Sequence, residues 1–295
     1  MGAVEDFGKV PAFKVVEPAQ TAPFVFNSPH SGSHYPERFL SMSRLDATAI
    51  RRSEDCYVDE LFAPAPSLGA PLLSANFPRA YLDVNREPWE LDPRMFREPL
   101  PPYANIRSPR VAGGLGTVPR LVGEGMEIYK SRIALDEAMS RIDGIYRPYH
   151  ACLADLLGRT RGRFGYAILV DCHSMPANIR TGEMGLRPDF IIGDRFGASA
   201  SPALVERAIR ILASKGYTVA HNKPYAGGFI TEHYGRPAEQ LHAMQIEINR
   251  GLYMNEKDLT RTEGFARLAD DLRSFMVELM DIPAQHFIVP PLAAE

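Results

Sequence analysis

Short β-rich runs alternate along the chain with stretches whose apolar residues recur every three or four positions. Phe24-Val25-Phe26 reads as a strand that runs into Asn27-Ser28-Pro29-His30-Ser31-Gly32, where proline and glycine force a loop. Asp46 to Phe62 reads as helical, with Leu45, Ala49, Tyr57, Val58, Leu61 and Phe62 as candidate buried positions. Tyr81-Leu82-Asp83-Val84 suggests another strand, ending at Asn85-Arg86. The region 94–120 is rich in Pro, Gly and Arg and has no clear period. Ile142, Ile145, Tyr146, Tyr149, Leu153 and Leu156 then mark a long amphipathic helix, which Pro148 should kink or split.

Ala167-Ile168-Leu169-Val170-Asp171 is a continuous apolar run of the kind that fills a fully buried central strand. Asp189 to Gly193, Tyr217 to Ala220 and Met244 to Ile248 are further strand candidates. Pro202 to Lys215 and Gly264 to Met280 read as helices, with Gly216 well placed just past the end of the first. Strand and helix alternating in this way predict an α/β sandwich, whose sites gather at the carboxyl ends of strands. The polar clusters fall there: His30 after the first strand, Asn85-Arg86 after another, His173 after the most buried one.

Composition narrows the function classes. The 295 residues are 45% hydrophobic and 23% charged, ordinary globular proportions. Lys and Arg total 33 against 36 Asp and Glu, so the basic footprint of a general nucleic-acid binder is missing. Three cysteines make no disulfide framework and no CxxC metal knuckle. Apolar runs fall far short of the roughly 20 residues that span a bilayer. The N-terminus has no signal-peptide run, and residue 6 is Asp, which breaks the myristoylation pattern. A cytoplasmic protein with no membrane partner is expected. Without repeats or long linkers, one domain over 1–295 is predicted, with a core of about 20–282 and frayed ends over the first 20 and last ten residues.

Two histidines share the same placement, His173 in Val170-Asp171-Cys172-His173-Ser174 and His30 in Pro29-His30-Ser31-Gly32. Two imidazoles and a carboxylate with an open position make the usual catalytic zinc site. The carboxylate should come from the Glu54-Asp55 pair. Cys172 adjoins His173, but neighbours on a strand point to opposite faces, so a Cys–His nucleophile is disfavoured. Ser174 and Ser31 lack a GxSxG setting. Asn85-Arg86 suits the grip of a substrate carboxylate. In the strand 245–249, Gln245, Glu247 and Asn249 share a face, and Glu247 could serve as general base. The run His221 to Thr231, with Gly227-Gly228, offers donors on a loop able to close over a small polar substrate.

These segments together resemble the N-formylglutamate amidohydrolase family. The matching stretches are PHSGSHYP (29–36), EDCYVDEL (54–61), DVNREPWELDP (83–93), GLGTVPR (114–120), RPYHACL (147–153), VDCHSMP (170–176), NKPYAGGFITEHYGRP (222–237) and MQIEINRGLYM (244–254). The resemblance implies a three-layer α/β sandwich with a mixed sheet of about eight strands, similar to the zinc carboxypeptidases and aspartoacylase-type deacylases. By position it implies one Zn2+ ion, or another divalent metal, on His30, His173 and Asp55, with Glu54 as the alternate. It implies Glu247 as general base and Asn85-Arg86 on a substrate carboxylate. A second cation, Arg180 or Arg187, would help, and Asn222, Tyr225 and Thr231 would complete the substrate site. The activity implied is hydrolysis of N-formyl-L-glutamate to formate and L-glutamate, as in histidine degradation. The alternatives are a paralogue acting on another N-acylated acidic amino acid and a non-catalytic binding protein on the same scaffold.

Overall fold

The computed structural model describes residues 7–123, 125–181 and 185–287. A mixed seven-stranded sheet runs in the order β1 (Phe13–Val16), β3 (Leu72–Ala75), β2 (Phe24–Ser28), β4 (Ala167–Met175), β7 (Leu241–Asn249), β5 (Phe190–Gly193) and β6 (Val219–His221). β3, β2, β4 and β7 are parallel, whereas β1 opposes β3, and β5 opposes β7. A separate ribbon joins β8 (Met254–Asn255) to β9 (Thr260–Arg261).

Three short helices, α1 (Glu37–Met42), α2 (Val58–Leu61) and α3 (Pro109–Ala112), lie in the long connections. α4 (Leu135–Arg141), α5 (Arg147–Phe164) and α7 (Phe229–Tyr234) belong to the cluster that buries Val25, Leu73, Leu169 and Ala243 on one face of the sheet. On the other face, α6 (Pro202–Ser214) and α8 (Gly264–Met280) cover Phe24, Phe26, Ile168, Val170, Ile192 and Ile246. The result is the expected three-layer arrangement. Side chains this thoroughly buried contribute roughly 1.5–3 kcal/mol each, and the two faces together anchor the central strands.

Several expectations shift, each for a physical reason. β4 extends past Asp171 to Met175 because β7 pairs with it along its whole length, from Ala167 opposite Leu241 to Met175 opposite Asn249. His173 therefore lies inside the strand rather than after it. The segment 46–62 is broken: a 3₁₀ turn covers Ala49–Ser53, Glu54 is extended, Tyr57 is left-handed at φ 65°, and only then does α2 begin. The break is fixed by Asp55, whose N–H donates to His30 O at 3.0 Å and carries the chain across to that loop. Tyr81–Val84 is not a strand. It turns back on itself (Tyr81 N to Pro78 O, 2.9 Å) and buries Tyr81, Leu82 and Val84 without a sheet partner. The strand count of about eight becomes seven in the main sheet, with β1 and β3 arising in segments that carry no strand expectation.

Pro148 sits in the first turn of α5, just after a wider π-helical turn over Ile142–Tyr146. Its missing N–H removes one regular helical bond, which the wider turn accommodates. Gly216 takes the left-handed conformation expected after α6, at φ 91°. The frayed N-terminal stretch is ordered from Phe7 onward: Phe7 stacks edge-on against Tyr81, and β1 pairs with β3. Residues 1–6 and 288–295 of the expected frayed ends lie outside the described residues.

Candidate active site

Parallel pairing of β4 with β7 sets Asp171 beside Gln245 and His173 beside Glu247. Alternation then sends these four side chains to one face of the sheet, while Cys172 and Ile246 enter the core behind it. Cys172 is fully buried there, donates to Val170 O at 3.4 Å, and has its thiol raised by burial. It does not face the cavity that His173 lines, so a Cys172–His173 nucleophile has no geometric support.

His30, Asp55 and His173 are brought together, each buried, with ligand atoms within 4.8 Å of one another. Asp55 Oδ2 lies 3.1 Å from His173 Nδ1 and 3.4 Å from His30 Nδ1. Its other oxygen, Oδ1, accepts from Arg250 Nη2 and from Ser174 Oγ, both at 3.0 Å. That grip turns Oδ2 toward the imidazoles. Burial alone would raise the Asp55 carboxyl, but the two facing imidazoles, His173 first, hold it well below the usual carboxylate range.

The far nitrogen of each ring meets a second carboxylate. His30 Nε2 lies 2.8 Å from Asp83 Oδ1, and His173 Nε2 lies 2.9 Å from Asp171 Oδ2. Ionised carboxylates only accept, so each Nε2 carries a proton toward its outer carboxylate, and Nδ1 is the nitrogen left facing Asp55, where a metal ion would take its lone pair in place of a proton. His30 Nδ1 is buried with no hydrogen-bond partner. Two imidazole lone pairs, one carboxylate oxygen and carboxylates fixing both tautomers make a donor set that could hold a metal ion. Glu54 is not part of it. Its carboxylate is taken by Arg51 (2.9 Å) and Tyr35 (2.6 Å), beside the Cys56 thiol.

The group opens into a cavity of about 740 Å³ lined by His30, His173, Arg86, Tyr225 and Glu247 among others. Glu247 is buried, accepts from Gln245 Nε2 at 2.8 Å, and is pushed up to about 7, chiefly by desolvation. Arg86 is nearly buried and drawn down to about 10 by desolvation. Its Nε and Nη1 donate to Leu115 O and Asn85 O, both at 2.8 Å, and its Nη2 lies 3.5 Å from Asp83.

Other predicted residues are placed differently. The Asn85 carboxamide is already engaged, with Oδ1 accepting from Ile230 N (2.7 Å) and Nδ2 lying 3.2 Å from His173 Nε2. It packs so closely on Gly228 that a Cβ there would sit 2.3 Å from Asn85 Nδ2. Asn222 lines the cavity but spends its Oδ1 on the Asp194 and Phe196 N–H groups. Tyr225 lines it half-buried, whereas Thr231 is buried beneath the loop, against Gly227. Arg180 and Arg187 do not reach the cavity; Arg180 instead donates to Gly185 O at 3.1 Å.

Four charged side chains that contact this group or line its cavity carry no expectation from the sequence: Asp83, Asp171, Arg79 and Arg250. Asp171 carried a usable signal, since it lies two residues before His173 and so shares its face. Asp83 and Arg79 sit in a turn and Arg250 in the 3₁₀ turn after β7, where no period reveals direction. Arg79 Nε meets Asp83 Oδ2 at 2.9 Å.

Known proteins point the same way. The family model described as N-formylglutamate amidohydrolase matches residues 22–254. An N-formylglutamate deformylase of Pseudomonas aeruginosa is 30% identical over 88% of this chain and 91% of its own length. One from Pseudomonas putida is 32% identical over 80% and 83%. The crystal structure of an N-formylglutamate amidohydrolase from Ralstonia eutropha superposes with a TM-score of 0.87 at 36% identity, covering 92% of this chain and 98% of that one. With a family model spanning most of the chain and relatives matched nearly end to end, the chain belongs to the N-formylglutamate amidohydrolase family.

Proposed function

We propose that the protein hydrolyses the amide bond of N-formyl-L-glutamate, releasing formate and L-glutamate, with one zinc ion held by His30 Nδ1, His173 Nδ1 and Asp55 Oδ2. The observation that carries this reading is the register of β4 and β7, which sets Glu247 beside His173 in a cavity that also holds Arg86. An ion so held supplies Lewis-acid polarisation of the formyl carbonyl and makes water a competent nucleophile.

The chain's own groups do the rest. Arg86 binds a substrate carboxylate with its guanidinium, and Tyr225 offers a hydroxyl from the facing loop. Glu247, with a pKa near 7, is suited to take a proton from the attacking water at neutral pH. As the C–N bond breaks, the same carboxyl returns that proton to the departing nitrogen, so that free amine and formate leave. Asp83 and Asp171 keep both imidazoles in the tautomer that aims Nδ1 inward.

The test is formate release from N-formyl-L-glutamate by metal-analysed protein, before and after chelation. Zinc at one per chain and activity lost on chelation and regained with zinc are expected. Bound metal without formate release would move the substrate to another N-acylated acidic amino acid. Activity indifferent to chelators would overturn the metal assignment.

A further inference from the structure

The wall of the cavity formed by 79–86 and α3 carries more positive charge than its neighbours neutralise. Asp83 is one carboxylate facing two guanidiniums, Arg79 at 2.9 Å and Arg86 at 3.5 Å. Arg110, on α3, lines the same cavity half-buried and, among the described residues, has no hydrogen bond or ion pair at its side chain. Its backbone is tied to Arg86 through one residue: Leu115 N donates to Arg110 O, and Arg86 Nε donates to Leu115 O, both at 2.8 Å. The Arg110 charge is close enough to help lower the Arg86 guanidinium. Glu90, the other carboxylate acting on Arg86, is buried and is not among the lining residues.

The remaining cavity cations are otherwise committed or peripheral. Arg250 is paired with Asp55 and Arg195 with Glu232, while Arg52 and Lys223 are exposed. Arg86 and Arg110 are thus left as a deep and a shallow guanidinium on one wall, sharing no carboxylate among the described residues.

We infer that Arg110 binds the side-chain carboxylate of the substrate and so sets its preference for glutamate over neutral side chains, while Arg86 binds the α-carboxylate. The assignment rests on the proposed activity and follows from chain geometry. The α-carboxylate is attached to the carbon that bears the scissile nitrogen, so it must stay close to the histidine group. Arg86 meets that condition, through its contact with the same Asp83 that holds His30. The side-chain carboxylate is two methylenes farther out, toward the shallower cation. A half-exposed, charge-assisted contact of this kind corresponds to a preference of about 10- to 150-fold.

The experiment compares kcat/KM for N-formyl-L-glutamate and N-formyl-L-glutamine in the zinc-loaded wild type, Arg110→Ala and Arg110→Lys. The wild type should prefer the glutamate substrate by about 10- to 150-fold. Arg110→Ala should collapse that preference toward unity through KM for glutamate, with kcat for glutamate little changed, and Arg110→Lys should restore part of it. Equal losses on both substrates would reduce Arg110 to a structural element of the wall, and an unchanged ratio would exclude it from the subsite. Should the wild type hydrolyse neither compound, the proposed activity fails by itself. Calorimetric binding of glutarate against pentanoate then decides the subsite: discrimination lost in Arg110→Ala upholds it, and discrimination retained overturns it.

Discussion

Along β4 and β7, the face toward α6 and α8 carries Ile168, Val170 and Cys172 beside His242, Met244 and Ile246, and then Ser174 beside Ile248. The opposite face begins with Ala167 and Leu169 beside Leu241 and Ala243, then changes to Asp171 and His173 beside Gln245 and Glu247. The same two strands thus serve packing on one side and chemistry on the other. Burying Asp171, His173 and Glu247 together is costly unless every polar atom is paired or given to a ligand. The apolar packing of Val170, Cys172, Met244 and Ile246 on the other face offsets that cost and holds the backbone in register. Removing Glu247 and removing Ile246, which are neighbours in sequence, should therefore separate function from stability.

The largest expected effect is on the polar face. Glu247→Gln should retain bound zinc and a normal melting curve yet lose about 10²- to 10⁴-fold in kcat, the usual range for a general base. Near-wild-type turnover by the zinc-loaded variant would remove Glu247 from that role. The apolar face should show the reverse. Ile246→Ala deletes a fully buried side chain and should cost about 2–5 kcal/mol in urea unfolding, while kcat measured well below the midpoint stays within a few-fold. If both variants lost activity and stability in parallel, the division of labour between the faces would not hold.

Much of this comparison is legible in the sequence because alternation is a local property. The apolar run Ala167 to Val170, followed by Asp171-Cys172-His173, announces a strand buried on both faces that becomes polar on one. The motifs around His30 and Glu247 add the rest of the centre. What alternation does not carry is loop geometry. Asp46 to Phe62 has a helical composition, but bonding of Asp55 to the His30 loop overrides it. Tyr81 to Val84 has the residues of a strand because it is a buried turn. Arg180 and Arg187 are cations on the chain without being cations of the cavity, while Arg79 and Arg250 reach it from turns.

The polar face also has a cost that depends on pH. In the metal-free protein, burial and the nearby Asp55 raise Glu247 from 4.5 to about 7. The folded state then holds a proton that the unfolded chain releases at lower pH. Its stabilising contribution is present below about pH 4.5 and is lost as pH rises through 7. Glu247→Gln has no such loss. Among chelated proteins, the variant should gain on the wild type between pH 4.5 and 7, by roughly 3 kcal/mol at about 1.4 kcal/mol per pH unit. Urea midpoints at four pH values would test the sign, and a difference flat with pH would mean that Glu247 titrates normally.

The smallest and sharpest test compares the two carboxylates behind the histidines. Asp171 contacts His173 and, through Oδ1, the Asn27 amide at 2.7 Å, with Tyr149 donating in turn to Asn27 at 2.5 Å. Among the described residues no Lys or Arg pairs with it, so its charge acts on the imidazole nearly undivided. Asp83 divides its charge among His30, Arg79, Arg86 and the Asn85 N–H. Neutralising Asp171 by Asn preserves the shape and an acceptor for Nε2–H, so the fold should survive while zinc affinity falls about 10- to 100-fold by chelator competition. Asp83→Asn should weaken zinc less through His30, since that ring feels a shared charge. It should destabilise the fold more, since it strips the carboxylate from the buried Arg86 and the half-buried Arg79. The reverse ranking, with Asp83→Asn costing more metal affinity and Asp171→Asn more stability, would show that the shared carboxylate and not the undivided one tunes the centre.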